Sequence, residues 1–301
     1  MYDVIIIGGG PAGLTATIYG IRKRLNILLV SKDLGGKTNF RLALPWVEEY
    51  QVVRGLEVVS KFRSELEYLK FARHMEPVEK VEKGGDGFIV TTKGGGELKA
   101  KAVIIATGAK QQRLIVPGEK EFIMRGLCYS ALSYAPLFID KKTVVVGDGE
   151  LALRSTAELS TVASSVHLVG AVGKVLDSPL GKKLQAAENV TILENYVVTE
   201  VKGKDFAERV VVKAPEGTLS EIEADGTFIE MGLVPNSQMV STLVDLDEQG
   251  AIKVDNRART SVPGIFAAGD VTNIYAEQVL VAVGEGAKAA LSAYEYLLPL
   301  L

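Results

Sequence analysis

Twice in this chain a run of β-branched and other apolar residues breaks directly into a glycine turn and then into a helix-like stretch, at Val4 to Gly13 and at Thr143 to Ala152. A strand buried on both faces reads as such an unbroken apolar run, and glycine at its end lets the backbone swing sharply into a helix. Two such starts restrict the chain to an α/β architecture with two nucleotide-type folds, and their partial similarity is an internal repeat. At 301 residues, 47% hydrophobic and 24% charged, the chain suits about two cores.

The remaining punctuation suggests boundaries. Pro77 to Glu82 and Phe88 to Thr92 read as strands joined at Gly84 to Gly87, with Gly94 to Gly96 making the next turn, a small antiparallel addition. Val103 to Ala106 returns as an apolar strand ending in Thr107-Gly108, and Leu114 to Glu119, containing Pro117-Gly118, reads as a crossing linker. The chain is expected to cross back near Met231 to Pro235, to add a strand and turn in Ser261 to Asp270, and to finish with a helix over Glu277 to Leu298. The expected fold is therefore α/β, with two Rossmann-like, three-layer ββα dinucleotide-binding domains. The first is discontinuous, 1–112 and 236–301; 113–235 forms the second.

A formal charge of −3 argues against a binder of nucleic acid, which concentrates Lys and Arg on one face. No apolar run approaches the roughly 20 residues needed to span a bilayer. The apolar N-terminus, Tyr2 to Ile7, passes into a glycine loop instead of a signal-peptide cleavage site, so a cytoplasmic protein is expected. The single cysteine, Cys128, rules out an intrachain disulfide, and with only His74 and His167 for imidazole no metal site is expected.

Gly8-Gly9-Gly10-Pro11-Ala12-Gly13 carries glycines at 8, 10 and 13 after a strand, where missing side chains let backbone N–H groups approach a pyrophosphate at a helix N-terminus. Ser31 stands where the second strand ends and where an acid would hold ribose hydroxyls. Asp33 is displaced from that position and equally readable as a solvated loop acid. In Phe266-Ala267-Ala268-Gly269-Asp270 a carboxylate follows a strand, suited to accept bonds from a ribityl chain.

In order and spacing, Gly8 to Gly13, Ala106-Thr107-Gly108, Gly269-Asp270 and Glu277-Gln278-Val279 to Gly284-Glu285-Gly286-Ala287 resemble the low-molecular-weight thioredoxin reductases over nearly the whole chain. The resemblance implies FAD bound by the first and last parts, NADPH bound by the middle, and a homodimer whose domains rotate between partners. It implies that Gly8, Gly10, Pro11, Ala12 and Gly13, with Ser31, belong to the FAD site, as do Ala106, Thr107, Gly108 and Gly269. Gly36-Lys37-Thr38 would touch the flavin end, the Val78 backbone the adenine, Asp270 the ribityl hydroxyls, and Gln278-Val279 the pyrimidine edge.

The departures from that family are as informative. Its Cys-X-X-Cys-Asp, which relays electrons to a disulfide, is here Ser130-Ala131-Leu132-Ser133-Tyr134, and a serine hydroxyl forms no disulfide. A laboratory Cys→Ser exchange would have left the acid in place, so natural loss is the better account. Cys128 reads as a buried small hydrophobe. Tyr129 and Tyr134 read as packing residues, with stacking on flavin or substrate left open.

In the second turn, Gly147-Asp148-Gly149-Glu150-Leu151-Ala152, two carboxylates stand near an expected pyrophosphate. After Val166 to Val169, Gly170-Ala171-Val172 replaces the His-Arg-Arg cluster that takes the NADPH 2′-phosphate, and no acid suited to NADH follows. NADPH is disfavoured, NADH is left open, 113–235 therefore reads as a degenerate NAD(P)-binding-like domain, and His167 reads as structural. Lys37 stands for a Gln, Glu49 for an Asn and Glu277 for an Arg. An inward Lys37 would raise the flavin potential, whereas a solvated lysine is the alternative.

The expected function is an FAD-dependent oxidoreductase in which the flavin passes electrons without a dithiol. Its donor and acceptor are unidentified; a small redox protein such as ferredoxin or a thioredoxin-like protein is the expected partner, with ferredoxin favoured as donor. A non-catalytic FAD-binding sensor or scaffold, and a Cys→Ser form of a thioredoxin-disulfide reductase, are the alternatives.

Overall fold

Val4 and Ile6 pack into one hydrophobic cluster while Ile5 and Ile7 pack into another, so the first strand, Tyr2–Ile7, is buried on both faces. This is the two-residue period of a central strand, and it repeats in Ala102 and Ile104 against Val103 and Ile105. Each large apolar side chain among them contributes about 1.5–3 kcal/mol on burial, so the register of these two strands is firmly set.

The computed structural model describes residues 1–47 and 55–301, and packing divides the chain into two units. The first gathers Met1–Asn39, Val53–Lys110 and Val234–Leu301; the second gathers Phe40–Val52 and Gln111–Leu233. Sequence alone keeps the stretch after Asn39 with the first unit. Leu42 and Leu44 are instead buried in the second unit's core, in one cluster with Phe138, because two apolar side chains settle where apolar surface is available.

In the first unit the strand order is Arg73–His74, Ile27–Val30, Tyr2–Ile7, Glu97–Ile105, Gly87–Thr92, Val78–Gly84, and Ile265–Ala267 also pairs with Glu97–Ile105. The inner pairs are parallel, with Val4 opposite both Ile27 and Ala102. The hairpin Val78–Gly84 to Gly87–Thr92 is antiparallel, as its glycines indicate. Helices Pro11–Arg22, Leu56–Tyr68 and Val279–Leu297 cover one face, and Val240, Val244 and Ile252 pack against the other. The first and last helices approach backbone to backbone: a Cβ on Gly286 would lie 2.1 Å from the Ala12 carbonyl oxygen.

The second unit repeats the plan. Val190–Glu194, Ser165–Gly170, Lys142–Gly147, Gly226–Glu230 and Leu127–Cys128 form a parallel five-stranded sheet in that order. Helices Gly149–Ser160 and Pro179–Gln185 pack on one face, where Phe138 meets Trp46 and Phe228 edge-on at centroid distances of 5.6 and 4.9 Å. The antiparallel strands Val197–Gly203, Ala207–Lys213 and Leu219–Glu223 cover the other. His167 sits in mid-strand, and burial pushes its pKa down.

Among the described residues no helix is long and apolar enough to cross a membrane, and no three His, Cys, Asp or Glu side chains gather where a metal ion could be held.

Candidate functional site

In the first sheet the chain leaves Tyr2–Ile7 toward Ile27–Val30 on one side, and Glu97–Ile105 lies on the other; such a reversal of strand order is where open α/β sheets take ligands, at the carboxyl ends of the strands. The glycine turn follows directly on Ile7 at that point. A Cβ on Gly8 would lie 2.2 Å from the Ala106 carbonyl oxygen, and one on Gly13 would lie 1.8 Å from the Gly8 carbonyl oxygen, so both positions exclude a side chain. Gly10 differs. Nothing lies within 4 Å of where its Cβ would stand, and its φ of −74° suits any residue.

The missing side chain at Gly10 is thus not needed for packing and leaves free room before the helix end. Pro11 has no N–H, and the first helical bond runs from Leu14 N–H to the Gly10 oxygen at 2.9 Å. The Ala12 and Gly13 N–H groups precede that bond and are the donors a helix start offers to an anion. These residues fit the diphosphate of the expected FAD.

The loops around the turn are tied to it. Ser31 Oγ accepts the Gly9 N–H at 2.8 Å and donates to the Asp33 carbonyl oxygen at 2.7 Å. Asp33 Oδ1 accepts the Gly36 N–H at 3.0 Å, so this acid braces its own loop. Gly36 in turn approaches Gly10, with 3.2 Å between its would-be Cβ and the Gly10 Cα. Thr38 Oγ1 donates to the Gly35 oxygen at 2.7 Å.

Lys37 Nζ donates to Asp270 Oδ2 at 2.9 Å, with side chains 37% and 17% exposed. Lys37 is thus turned to the carboxylate expected to face a ribityl chain. Gly269, just before that carboxylate, donates its N–H to Glu285 Oε2 at 3.1 Å.

Thr107 and Asn236 lock the third loop, Thr107 Oγ1 donating to the Asn236 oxygen at 2.6 Å and Asn236 Nδ2 to the Thr107 oxygen at 2.9 Å. Gln278 caps the last helix, its carbonyl accepting the Ala282 N–H at 2.9 Å, and Val279 is the first residue of that helix. Val78 lies on the outer hairpin, opposite Thr92. Glu49 falls outside the described residues.

In the second unit Ser130 has a left-handed φ of 78° and precedes the four-residue helix Ala131–Tyr134. Its Oγ donates to Ser133 Oγ at 3.1 Å. The Ala131 N–H donates to Glu230 Oε1 at 2.6 Å. Burial pushes the Glu230 carboxyl above its ordinary range, against the opposing pull of the Ala131 N–H, the Ser155 hydroxyl and the Ser130 backbone.

Cys128 is fully buried, and burial followed by the Glu230 charge pushes its thiol far up, which leaves it inert. Tyr134 packs on the cluster of Phe138 and Phe228. The Tyr129 hydroxyl is pushed up to about 12 by burial and then by Glu119, to whose Oε1 it donates at 3.3 Å. Both aromatics belong to the packing of their own unit.

The second glycine turn shares part of the build of the first: Gly149, unlike Gly10, has a left-handed φ of 63° and begins the helix itself, after Asp148. A Cβ on Gly147 would lie 2.2 Å from the Glu230 carbonyl oxygen and one on Gly170 would lie 2.0 Å from the Gly147 carbonyl oxygen, while Gly149 faces open space. Glu150 pairs with Arg154 at 3.2 Å, which softens the repulsion expected of it. The sequence shows no acid after Val166 to Val169, yet the fold brings one there. Glu194, from the neighbouring strand, accepts the N–H groups of Val172 at 3.2 Å and Gly173 at 2.9 Å.

Residues 2–286 match the pyridine nucleotide-disulphide oxidoreductase family. An alkyl hydroperoxide reductase component of Pseudomonas aeruginosa is 35% identical over 99% of this chain, and its counterpart of the same name in Staphylococcus aureus is 33% identical over 99%. The chain spans 58% and 59% of the length of these two relatives. Thioredoxin reductase from Streptococcus pyogenes superposes with a TM-score of 0.86 at 34% identity, covering 99% of this chain and 98% of its own. The enzyme of that name from Giardia duodenalis reaches 0.84 at 27% identity, covering 98% of each chain. With a glycine turn opening each unit's first helix and a match over nearly its whole length, the chain belongs to the pyridine nucleotide-disulphide oxidoreductase family.

Proposed function

We propose that this chain is an FAD-dependent oxidoreductase, akin to the thioredoxin reductases and to the matching alkyl hydroperoxide reductase components, that works without a dithiol of its own. The observation that carries the reading is the contrast between the two sites. The cradle around Gly10 is open and lined with donors, whereas two hydroxyls meet at 3.1 Å in Ser130 and Ser133 and the sole cysteine is buried.

In this reading 1–112 with 236–301 holds FAD, and 113–235 receives a reduced pyridine nucleotide. Bound FAD would supply the two-electron chemistry. The Ala12 and Gly13 N–H groups would hold its diphosphate, Asp270 its ribityl hydroxyls, Val78 the adenine, and Gln278 with Val279 the pyrimidine edge. Ser130 and Ser133 store no electrons, so reducing equivalents leave the flavin directly for an acceptor such as a small redox protein. The glycine turn at Gly147 to Gly149 favours a pyridine nucleotide as donor. The ferredoxin expected from the sequence gains no support from the relatives, which are named for thioredoxin and for alkyl hydroperoxides. The homodimer remains part of the proposal, and sedimentation of the FAD-loaded protein tests it.

Anaerobic titration of the FAD-loaded chain with NADH, NADPH and reduced ferredoxin in parallel tests the reading. Full bleaching of the flavin by a pyridine nucleotide is expected. Flavin left oxidised by all three would favour the sensor or scaffold instead.

A further inference from the structure

We propose that Glu194 sets the nucleotide preference of the second unit, its carboxylate occupying the backbone donors that a 2′-phosphate would need and leaving acceptors for a ribose with free hydroxyls. The inference rests on the reading that this unit receives a pyridine nucleotide.

Strand Val190–Glu194 runs parallel to Ser165–Gly170 and ends with Glu194 directly opposite Gly170. From there the side chain reaches across to the loop that follows Gly170. Oε1 accepts the Gly173 N–H at 2.9 Å and Oε2 the Val172 N–H at 3.2 Å. Consecutive N–H groups turned to one point make an anion-binding concavity, and here the chain fills it with its own anion.

The place matters. Gly170 abuts the Gly147 carbonyl oxygen, so the loop lies beside the glycine turn that would carry a diphosphate. In dinucleotide-binding sheets the adenosine ribose sits at the end of this second strand, where an acid accepts its hydroxyls or an arginine accommodates a phosphate. The loop reads Gly170-Ala171-Val172-Gly173 and brings no guanidinium. A phosphate there would meet a carboxylate on the very donors it requires, with only Lys174 following in sequence. A carboxylate offers about four lone-pair sites, and two N–H bonds leave about two for ribose hydroxyls.

The test is equilibrium binding to the full FAD-loaded chain by calorimetry, with ADP-ribose and 2′-phospho-ADP-ribose as redox-silent probes. ADP-ribose is expected to bind the parent protein at least about tenfold more tightly than its 2′-phosphate. Glu194→Gln keeps the size and removes the charge, and is expected to narrow that ratio by about tenfold, mostly through tighter binding of the phosphorylated probe. Glu194→Ala, which also frees both N–H groups, should narrow it further, and thermal unfolding of both variants reports that the unit is intact. Equal affinity of the parent for the two probes, or a ratio unmoved by both substitutions, overturns the role of Glu194 alone. Binding of neither probe by a protein that still retains FAD overturns it together with the nucleotide reading of the second unit.

Discussion

Lys37 and Asp270, 233 positions apart in the sequence, meet as an ion pair of 2.9 Å that bridges the two ends of the discontinuous first unit. With Lys37 more than a third exposed, the pair adds little to stability, on the order of 0.2–1 kcal/mol. Its consequence lies in the field at the proposed flavin site. Lys37→Gln is expected to lower the flavin midpoint potential by on the order of 10–30 mV, since about 30 mV corresponds to 1.4 kcal/mol for two electrons. Asp270→Asn, in protein that retains FAD, should move it the other way. Potentiometric titration against reference dyes reads both shifts, and an unmoved potential in Lys37→Gln would place its charge outside the flavin's reach.

Gly10 and Gly13 separate folding from binding. Gly10→Ala enters open space at an ordinary φ, so unfolding of the apoprotein should stay within about 0.5 kcal/mol of the parent while FAD affinity falls by about tenfold or more. Gly13→Ala drives a methyl toward the Gly8 carbonyl oxygen and is expected to destabilise by about 3 kcal/mol. Thermal unfolding with a parallel FAD titration distinguishes the two.

The 3.1 Å contact between the Ser130 and Ser133 hydroxyls leaves room for a disulfide if both become cysteine. Ser130→Cys with Ser133→Cys should therefore lose two free thiols on mild oxidation, read by thiol titration. Thioredoxin-disulfide reduction should remain absent, because Tyr134 stands where the relay needs an acid. Robust disulfide reduction by the double variant would restore the Cys→Ser alternative.

Glu230 and Glu119 should give opposite pH slopes. Glu230 has a raised folded pKa, so its contribution to stability is full below the ordinary value of 4.5 and is lost as pH rises through the folded value. Glu230→Gln should flatten the decline of stability as pH rises above 4.5, as measured by urea unfolding at several pH values.

Glu119, only 1% exposed, accepts from Leu114 N–H at 3.0 Å, Ile115 N–H at 2.8 Å and Arg113 Nε at 3.2 Å. Although burial raises its pKa, the Arg113 guanidinium and these N–H groups together hold it below the ordinary carboxylate value. Its contribution is present above 4.5 and lost as pH falls through the lower folded value. Glu119→Ala leaves those donors unmatched and is expected to destabilise by about 3 kcal/mol at neutral pH, measured by urea unfolding.

Local patterns carry local information, and the legible parts of this protein are local. The alternation of Val4 to Ile7 between two cores, the glycine turn from Gly8 to Gly13, the antiparallel hairpin at Gly84 to Gly87 and the hydroxyls at Ser130 and Ser133 all belong to residues a few positions apart. Residues whose partners come from a distant strand are not legible in this way. Lys37 reads equally well as a solvated lysine until Asp270 arrives beside it. Leu42 and Leu44 follow the first unit in sequence but are buried with the second.

The sequence by itself determined an α/β chain with two glycine turns of one kind, a single cysteine and no dithiol, because strand period, glycine spacing and residue identity need no third dimension. Only the tertiary structure decided which groups the charges meet. Glu194 meets Val172 from 22 positions away, Glu230 meets Ala131 from 99, and Lys37 meets Asp270 from 233. Electrostatic interaction depends on distance in space, and a parallel sheet brings strand ends together irrespective of their order along the chain.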